Sequence, residues 1–546
     1  PGATAPAATA AAPPTADVAY NLGAVASYAV GQQPSNWDIH SAGAAPFYET
    51  LEQVLAQVWP SAFELGPTGV PVRNGALLTS ARQVSPTKIV YEIDPRAVWS
   101  DGIPITYKDF AYNWRAQSGR ATWRDRGGKA YTPMGSDGYN DISAVVGGRA
   151  DPYSVTVTLS HPYPDWRSLF SYLVPAHVAK AVGFDAGFTD PVADLVSGGA
   201  YMVSSLQPGY SLELVRNARY WGNPANFASV TYYFTSGPAQ VLDALAGGEL
   251  DVAALRAPPS GYQALQAAGD LSVRAVASSY YEDLDFNEAT GPLRDEALRQ
   301  AVMMAVDRSA MARAVLAPYG LAARPVENRA FMPGSPGYRG DGSAWDGPRP
   351  AAALRLLAAH GYKRAKTAPE GAEFLGPGGR PVDLSLYVDS ADPWAGGLAA
   401  QVASSCAAIG VSVSIERGTS PVGDVTGSDR ALAPPAGWEM AIEVRQVPAF
   451  ASALAGTYAS GGSANIDGYS SAAMDALLAR VPTTPAGQLP AVFDQVDNQA
   501  WQSAADLPLV AVPVVVATND KLLNLQVGPW PADIAWDEQD WGFEAS

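Results

Sequence analysis

Few side chains in this sequence are equipped for metal or nucleophile chemistry. There are four histidines, His40, His161, His177 and His360, and one cysteine, Cys406. No two histidines have the helical pair spacing that builds a zinc site, and His161 and His177 read as makers of ordinary surface hydrogen bonds. A serine nucleophile on a sharp G-x-S-x-G elbow is also missing. Gly127-Gly-Lys-Ala130 lacks the hydroxyl residue after lysine and the earlier glycine that a phosphate loop requires. Adjacent acids such as Glu282 and Asp283 have the chemistry of a glycosidase pair. In a chain with 53 acids such neighbours arise by chance. These counts argue against an enzyme and for binding, with no metal and no cofactor expected.

A binding cleft needs apolar and aromatic walls with a few polar anchors. The 14 tryptophans and 25 tyrosines are ample for walls and cores alike. At 546 residues the chain is too long for one hydrophobic core, so at least two domains are expected. A net charge of −18 without any basic run excludes a nucleic-acid binder, which needs clustered lysine and arginine. Cys406 lies in an apolar helical pattern and is expected to be a small buried hydrophobe. No apolar run approaches the roughly 20 residues of a membrane helix. Residues 1–16 are Ala, Pro, Thr and Gly only, and read as a disordered tether; neither a starting methionine nor a signal peptide is present.

Periodicity places the elements that would position a site. Val98–Trp114 reads as a strand end, a Ser-Asp-Gly turn and a helix, with Thr106 and Asp109 spaced as a capping box. Strands are expected at 18–25, 88–93, 154–159, 211–216, 230–234, 280–286, 438–444 and 509–517. Helices are expected at 46–59, 165–173, 239–246, 471–479 and 489–503, with the longest helical pattern at 294–316. Strand 382–388, helix 398–409 and strand 411–416 form a β-α-β unit, which implies a parallel pair. Mixed elements of this kind indicate an α/β fold.

Several segments carry a more specific message. W-S-D-G-I-P-I-T-Y-K-D-F (Trp99–Phe110) resembles the W-S-D-G-x-P-(V/I)-T-A-x-D-F segment of the bacterial extracellular solute-binding proteins of family 5, the peptide- and nickel-binding receptors of ABC importers. S-G-G-A-Y-M-V (Ser197–Val203), L-V-R-N-A-R-Y-W (Leu214–Trp221), G-E-L-D (Gly248–Asp251), F-N (Phe286–Asn287), G-P-L-R-D-E-A-L-R-Q-A (Gly291–Ala301) and A-V-D-R (Ala305–Arg308) resemble further family segments in the same order.

The resemblance implies a type II periplasmic-binding-protein fold, with two lobes, a hinge and an extra domain. It implies lobe I from 17–45, 165–276 and 515–546, the extra domain from 46–164, and lobe II from 277–514, with ligand enclosed between lobes. It further implies a monomeric, lipid-anchored protein on the outer face of the cytoplasmic membrane, with ABC permease and ATPase subunits as partners. The ligand would be a peptide or peptide-like solute. The alternative is a regulatory lipoprotein of the same fold, of the LpqW type, acting in cell-envelope glycolipid synthesis.

Four segments align with ligand-lining segments of the peptide receptors. They supply Ser41, Gly43 and Ala44; Tyr280, Tyr281 and Glu282; Trp394; and Glu443, Arg445 and Gln446. One departure is evident. Oligopeptide receptors carry an aspartate after the last of these strands to pair with the peptide's ammonium, whereas this chain reads Arg445-Gln446-Val447-Pro448. A buried ammonium without a counter-charge is costly. Either Glu443 takes that role or the ligand lacks a free amino terminus, and Arg445 then suits a carboxylate.

Overall fold

The computed structural model describes residues 19–66, 69–125, 127–148, 150–235, 237–364, 374–379, 381–418, 437–528 and 532–545. The segment 1–16 read as a tether lies outside them. Two compact units divide the chain. The first takes the chain up to Arg256, Ser260–Arg274 and everything from Val514; the second takes Ala257–Pro259 and Ala275–Pro513.

In the first unit, β1 (Val25–Val30) precedes the helix Tyr48–Val58 and a short pair, β2 (Phe63–Leu65) with β3 (Pro71–Arg73). β4 (Leu78–Ser85), β5 (Lys88–Ile93), β6 (Ile142–Val146) and β7 (Ser154–Leu159) form an antiparallel sheet in the order β4-β5-β7-β6. β7 alternates in burial along its whole length, as its sequence S-V-T-V-T-L dictates. β8 (Tyr201–Gln207), β9 (Ser211–Arg216), β10 (Ser229–Phe234) and β11 (Val252–Leu255) complete the early strands. β1 runs parallel to both β10 and β11, while β9 is antiparallel to β10 and to β8.

The helix Tyr107–Gln117 starts on a complete capping box, with Asp109 Oδ2 accepting from Thr106 N at 2.9 Å. The other Asp109 oxygen accepts from Ala176 N at 3.0 Å, so one carboxylate ties two helix starts together. Phe110 on this helix packs against Tyr91 of β5 and against Phe170, with centroids 5.6 and 4.8 Å away. Thr106→Ala should cost about 1 kcal/mol, the usual value for a lost N-cap. Urea unfolding of the variant against wild type measures it.

The main stretch of the second unit begins within β12 (Leu271–Phe286). A small pair, β13 (Lys363–Arg364) and β14 (Phe374–Leu375), precedes β15 (Asp383–Asp389), β16 (Ser412–Gly418), β17 (Met440–Gln446) and β18 (Asp506–Asn519). β15 pairs parallel with β16, as the β-α-β reading requires, and also parallel with β17; β17 is antiparallel to β12. The first part of β18 lies beside β12, tied by Ser278 Oγ donating to Val512 O at 2.8 Å. Its last residues, in the first unit, pair antiparallel with β11. Cys406 is fully buried in the helix Ala395–Ala408, where burial pushes its thiol up to about 12.

Three expected elements differ. The expected strand 18–25 starts only at Val25, because Asn21 O accepts from Ala24 N and closes a turn first. Residues 165–173 hold just one 3-10 turn, Trp166–Ser168. Phe170 and Tyr172 adopt φ of 63° and 46°, and no α-helix tolerates that. Core burial of the Phe170 ring wins, and the two displaced amides are satisfied by Tyr139 Oη and Ser61 Oγ. The pattern at 294–316 is two helices, Glu296–Ala305 and Arg308–Leu316, broken where Val306 is extended and Asp307 caps the second through Ala310 N at 2.8 Å.

Candidate functional site

Within the second unit, strand pairing brings most of the sequence-predicted residues together. The antiparallel register sets Tyr280 opposite Gln446, Tyr281 opposite Arg445 and Asp283 opposite Glu443. Alternation puts Tyr281, Asp283, Asp285, Glu443 and Arg445 on one sheet face, with Tyr280 and Glu282 on the other. Gln446 Nε2 donates to Ser279 Oγ at 3.2 Å. Trp394 sits elsewhere in this unit, buried at the start of its helix with its ring 6.5 Å from that of Tyr319. In the first unit Ser41 is buried and caps the short turn Ala42–Phe47, its hydroxyl donating to Asp185 O at 3.2 Å. Ala44 beside it is fully buried, while Gly43 is exposed.

The face shared by β12 and β17 holds a network of charge. Arg445 forks between three carboxylates, with Nε 3.0 Å from Asp283 Oδ2, and Nη2 2.5 Å from Asp285 Oδ1 and 2.8 Å from Asp467 Oδ2. Arg329 forms a second node: Nε meets Asp506 Oδ1 at 2.7 Å and Nη1 meets Asp497 Oδ1 at 3.1 Å. Its guanidinium lies 4.0 Å over the Trp501 ring, and Arg308 lies 4.9 Å from that ring's centroid. Tyr458 donates its hydroxyl to Asp506 Oδ2.

Five carboxylates thus face two guanidiniums inside the protein, and they cannot all be ionised. Burial, together with Asp506 and Asp285, pushes Asp283 far above the usual carboxylate range despite Arg445 and Arg329. Burial likewise raises Asp285, Asp467 and Asp497 against their arginines. Asp506 goes the other way: burial works to raise it, but Arg329 and Arg445 together hold it low. Asp506 is thus the acid most favoured as an anion, and the acids around it are pushed towards the neutral form by burial and by one another while the arginines oppose that shift. Beside the network, burial and then the Asp285 charge push Glu443 up to about 9.

This geometry bears on what each group can do. Carboxylate oxygens of Asp283, Asp285 and Asp506 lie within 4.8 Å of one another, close enough for an ion. Guanidinium groups already bridge this trio, so a hard cation would have to compete with fixed positive charge. Arg445, saturated by three acids, would have to surrender one to hold a ligand carboxylate. Glu443 carries its proton at neutral pH and takes an ammonium only by losing it. Sequence reasoning missed Asp283, Asp285, Asp467, Asp506 and Arg329. The readable signal was acids at positions 283 and 285, spaced for one face of a strand.

Comparison with known proteins adds a family context. Residues 74–465 match the family described as bacterial extracellular solute-binding proteins, family 5 Middle. The chain is 31% identical over 487 residues to the oligopeptide-binding protein OppA of Mycobacterium tuberculosis, covering 85% of this chain and 76% of that protein. It is 28% identical over 321 residues to the probable monoacyl phosphatidylinositol tetramannoside-binding protein LpqW of the same organism, covering 57% of this chain and 48% of that one. Among solved structures, the periplasmic EDTA-binding protein EppA superposes with a TM-score of 0.84 at 25% identity, covering 96% of this chain and 97% of the other.

Proposed function

Because the chain belongs to the bacterial extracellular solute-binding proteins of family 5, we propose that it is the substrate-binding receptor of an ABC importer, capturing a peptide or peptide-like solute and delivering it to a membrane permease. The fold is the α/β periplasmic-binding-protein type of that family. One observation carries the reading: similarity to an oligopeptide-binding protein extends over 85% of the chain. Members of this family are receptors that work outside the cytoplasm. Among the described residues no helix is long and apolar enough to cross a membrane. We assign the chain as a monomer held at the outer face of the membrane by a lipid anchor.

The candidate anchors of the proposed ligand site fall on two faces of the β12–β17 pair, Tyr281, Glu443 and Arg445 on one and Tyr280, Glu282 and Gln446 on the other, with Trp394 and the loop carrying Ser41, Gly43 and Ala44 on other elements. The state of Glu443 favours a ligand that offers a hydrogen-bond acceptor or arrives with a strong cation. A second reading, a regulatory lipoprotein of the LpqW type, draws on the match to that protein and on the absence of an acid after Arg445.

Native mass spectrometry of the purified protein, followed by denaturation and identification of released molecules, separates the two. Co-purifying peptides are the expected result. A ligand-free mass, with no thermal shift across a peptide library, would favour the regulatory reading.

A further inference from the structure

The first unit contains a cavity of about 220 Å³, formed entirely from its own residues. Glu64 of β2, Tyr220, Trp221 and Trp536 line it, with Asn74 beside Glu64 and Ala56 on the helix Tyr48–Val58. None of the sequence-predicted site residues is among its walls. The volume is several times the roughly 30 Å³ that one water occupies in the liquid. It therefore has room for a small organic molecule.

The chemistry of the walls is one-sided. Among the described residues neither lysine, arginine nor histidine lines the cavity, while Glu64 does. Asn74 Nδ2 donates to Glu64 Oε1 at 2.7 Å and holds the carboxylate in place, yet an amide brings no positive charge. Asn74 is itself fixed, its Oδ1 accepting from the backbone of Ala76 and Leu77. Trp221 is pinned by its indole N–H to Ala76 O at 2.7 Å. Tyr220 packs on Trp221 with centroids 5.2 Å apart. Burial, and then the negative charge of Asp540, push the Glu64 carboxyl up to about 7. A fixed carboxylate among aromatic rings, without a cationic partner, is the composition that receives an organic ammonium: ion pairing at one side and ring faces at the other.

We propose that this cavity binds a small organic ammonium compound, with Glu64 as counter-ion and Tyr220, Trp221 and Trp536 as its aromatic walls. The inference does not depend on the receptor reading, since the cavity and the proposed peptide anchors share no residue.

Ethanolamine and choline are the probes, with ethylene glycol as the uncharged control. Binding is followed on the full chain by the tryptophan indole signals in NMR titrations. At least one of the two amines should bind saturably and ethylene glycol should not. Glu64→Gln keeps an oxygen for Asn74 and should weaken amine binding at least tenfold. Ala56→Met, a substitution a helix accepts, should fill the space and weaken it similarly. Circular dichroism melts of both variants establish that they fold. Failure of both amines to bind, equal binding of ethylene glycol, or unchanged affinity in Glu64→Gln would each overturn the proposal. Displacement of the amine by calcium at equal concentration would reassign the cavity to an inorganic ion and overturn it as well. Peptide capture should be unaffected by either substitution, so failure here and failure of the receptor reading are separately visible.

Discussion

Arg445→Met should destabilise the protein by about 3–5 kcal/mol, the usual cost of removing one partner from a buried ion pair. Arg445 carries the positive charge for Asp283, Asp285 and Asp467, and the side chains of those acids are no more than 6% exposed. Methionine fills much of the space but brings no charge, so the acids must take up further protons or remain buried and unpaired. Urea unfolding at pH 7 measures the loss. Combining Arg445→Met with Asp285→Asn and Asp467→Asn should recover a large part of it, because an apolar or neutral replacement of a whole buried ionic group is far cheaper than a broken one. If the triple variant is no more stable than Arg445→Met, the charge argument fails and lost packing is the cause.

Stability should also fall as pH rises from about 5 to 9, and Glu538→Gln should flatten part of that fall. Glu538 is fully buried in the first unit, and burial pushes its carboxyl up to about 8. Tyr232 Oη donates to its Oε2 at 2.6 Å, while among the described residues no hydrogen bond reaches Oε1. The folded state keeps this proton to higher pH than the unfolded chain, whose glutamates titrate near 4.3. The stability that results is complete below the unfolded value and is lost as pH climbs through the folded one. For this one group the loss between pH 5 and 9 is on the order of 4 kcal/mol, from about 1.4 kcal/mol per pH unit between the two values. Glu443, raised to about 9, and Asp38, raised to about 8, act in the same direction. Glutamine keeps the acceptor for Tyr232 and has no proton to lose. The variant should therefore match wild type at pH 5 and melt several degrees higher at pH 8.5, read by thermal denaturation across pH.

Elements that rest on neighbours in sequence were legible. The capping box of Thr106 and Asp109, the alternation of β7, the parallel pairing of β15 with β16 and the buried state of Cys406 all follow from local chemistry. The family could be read because its segments recur in order along the chain. What escaped is long-range. Glu282 and Asp283 looked like a chance pair, yet Asp283 and Asp285 point to one face and meet Arg445, Asp467 and Asp506 from distant parts of the chain. Arg329 sits in Asn-Arg-Ala-Phe, where no periodicity marks it, and its partners Asp497 and Asp506 come from the middle of the late helix Leu489–Ser503 and from the start of β18. Phe170 was lost for a related reason: only the assembled aromatic core explains why its backbone accepts a left-handed conformation. Candidate site residues carried by the resemblance gained positions and partners, but roles only through the proposal.

The sealed position of Cys406 makes the native chain almost inert towards maleimide dyes at neutral pH, since reaction requires an accessible thiolate. A single cysteine placed at an exposed residue, such as Val84 on β4 or Tyr210 at the turn between β8 and β9, would then be the one position that takes label. No cysteine-free background has to be built first, and fluorescence can follow solute capture from a chosen point on the first unit.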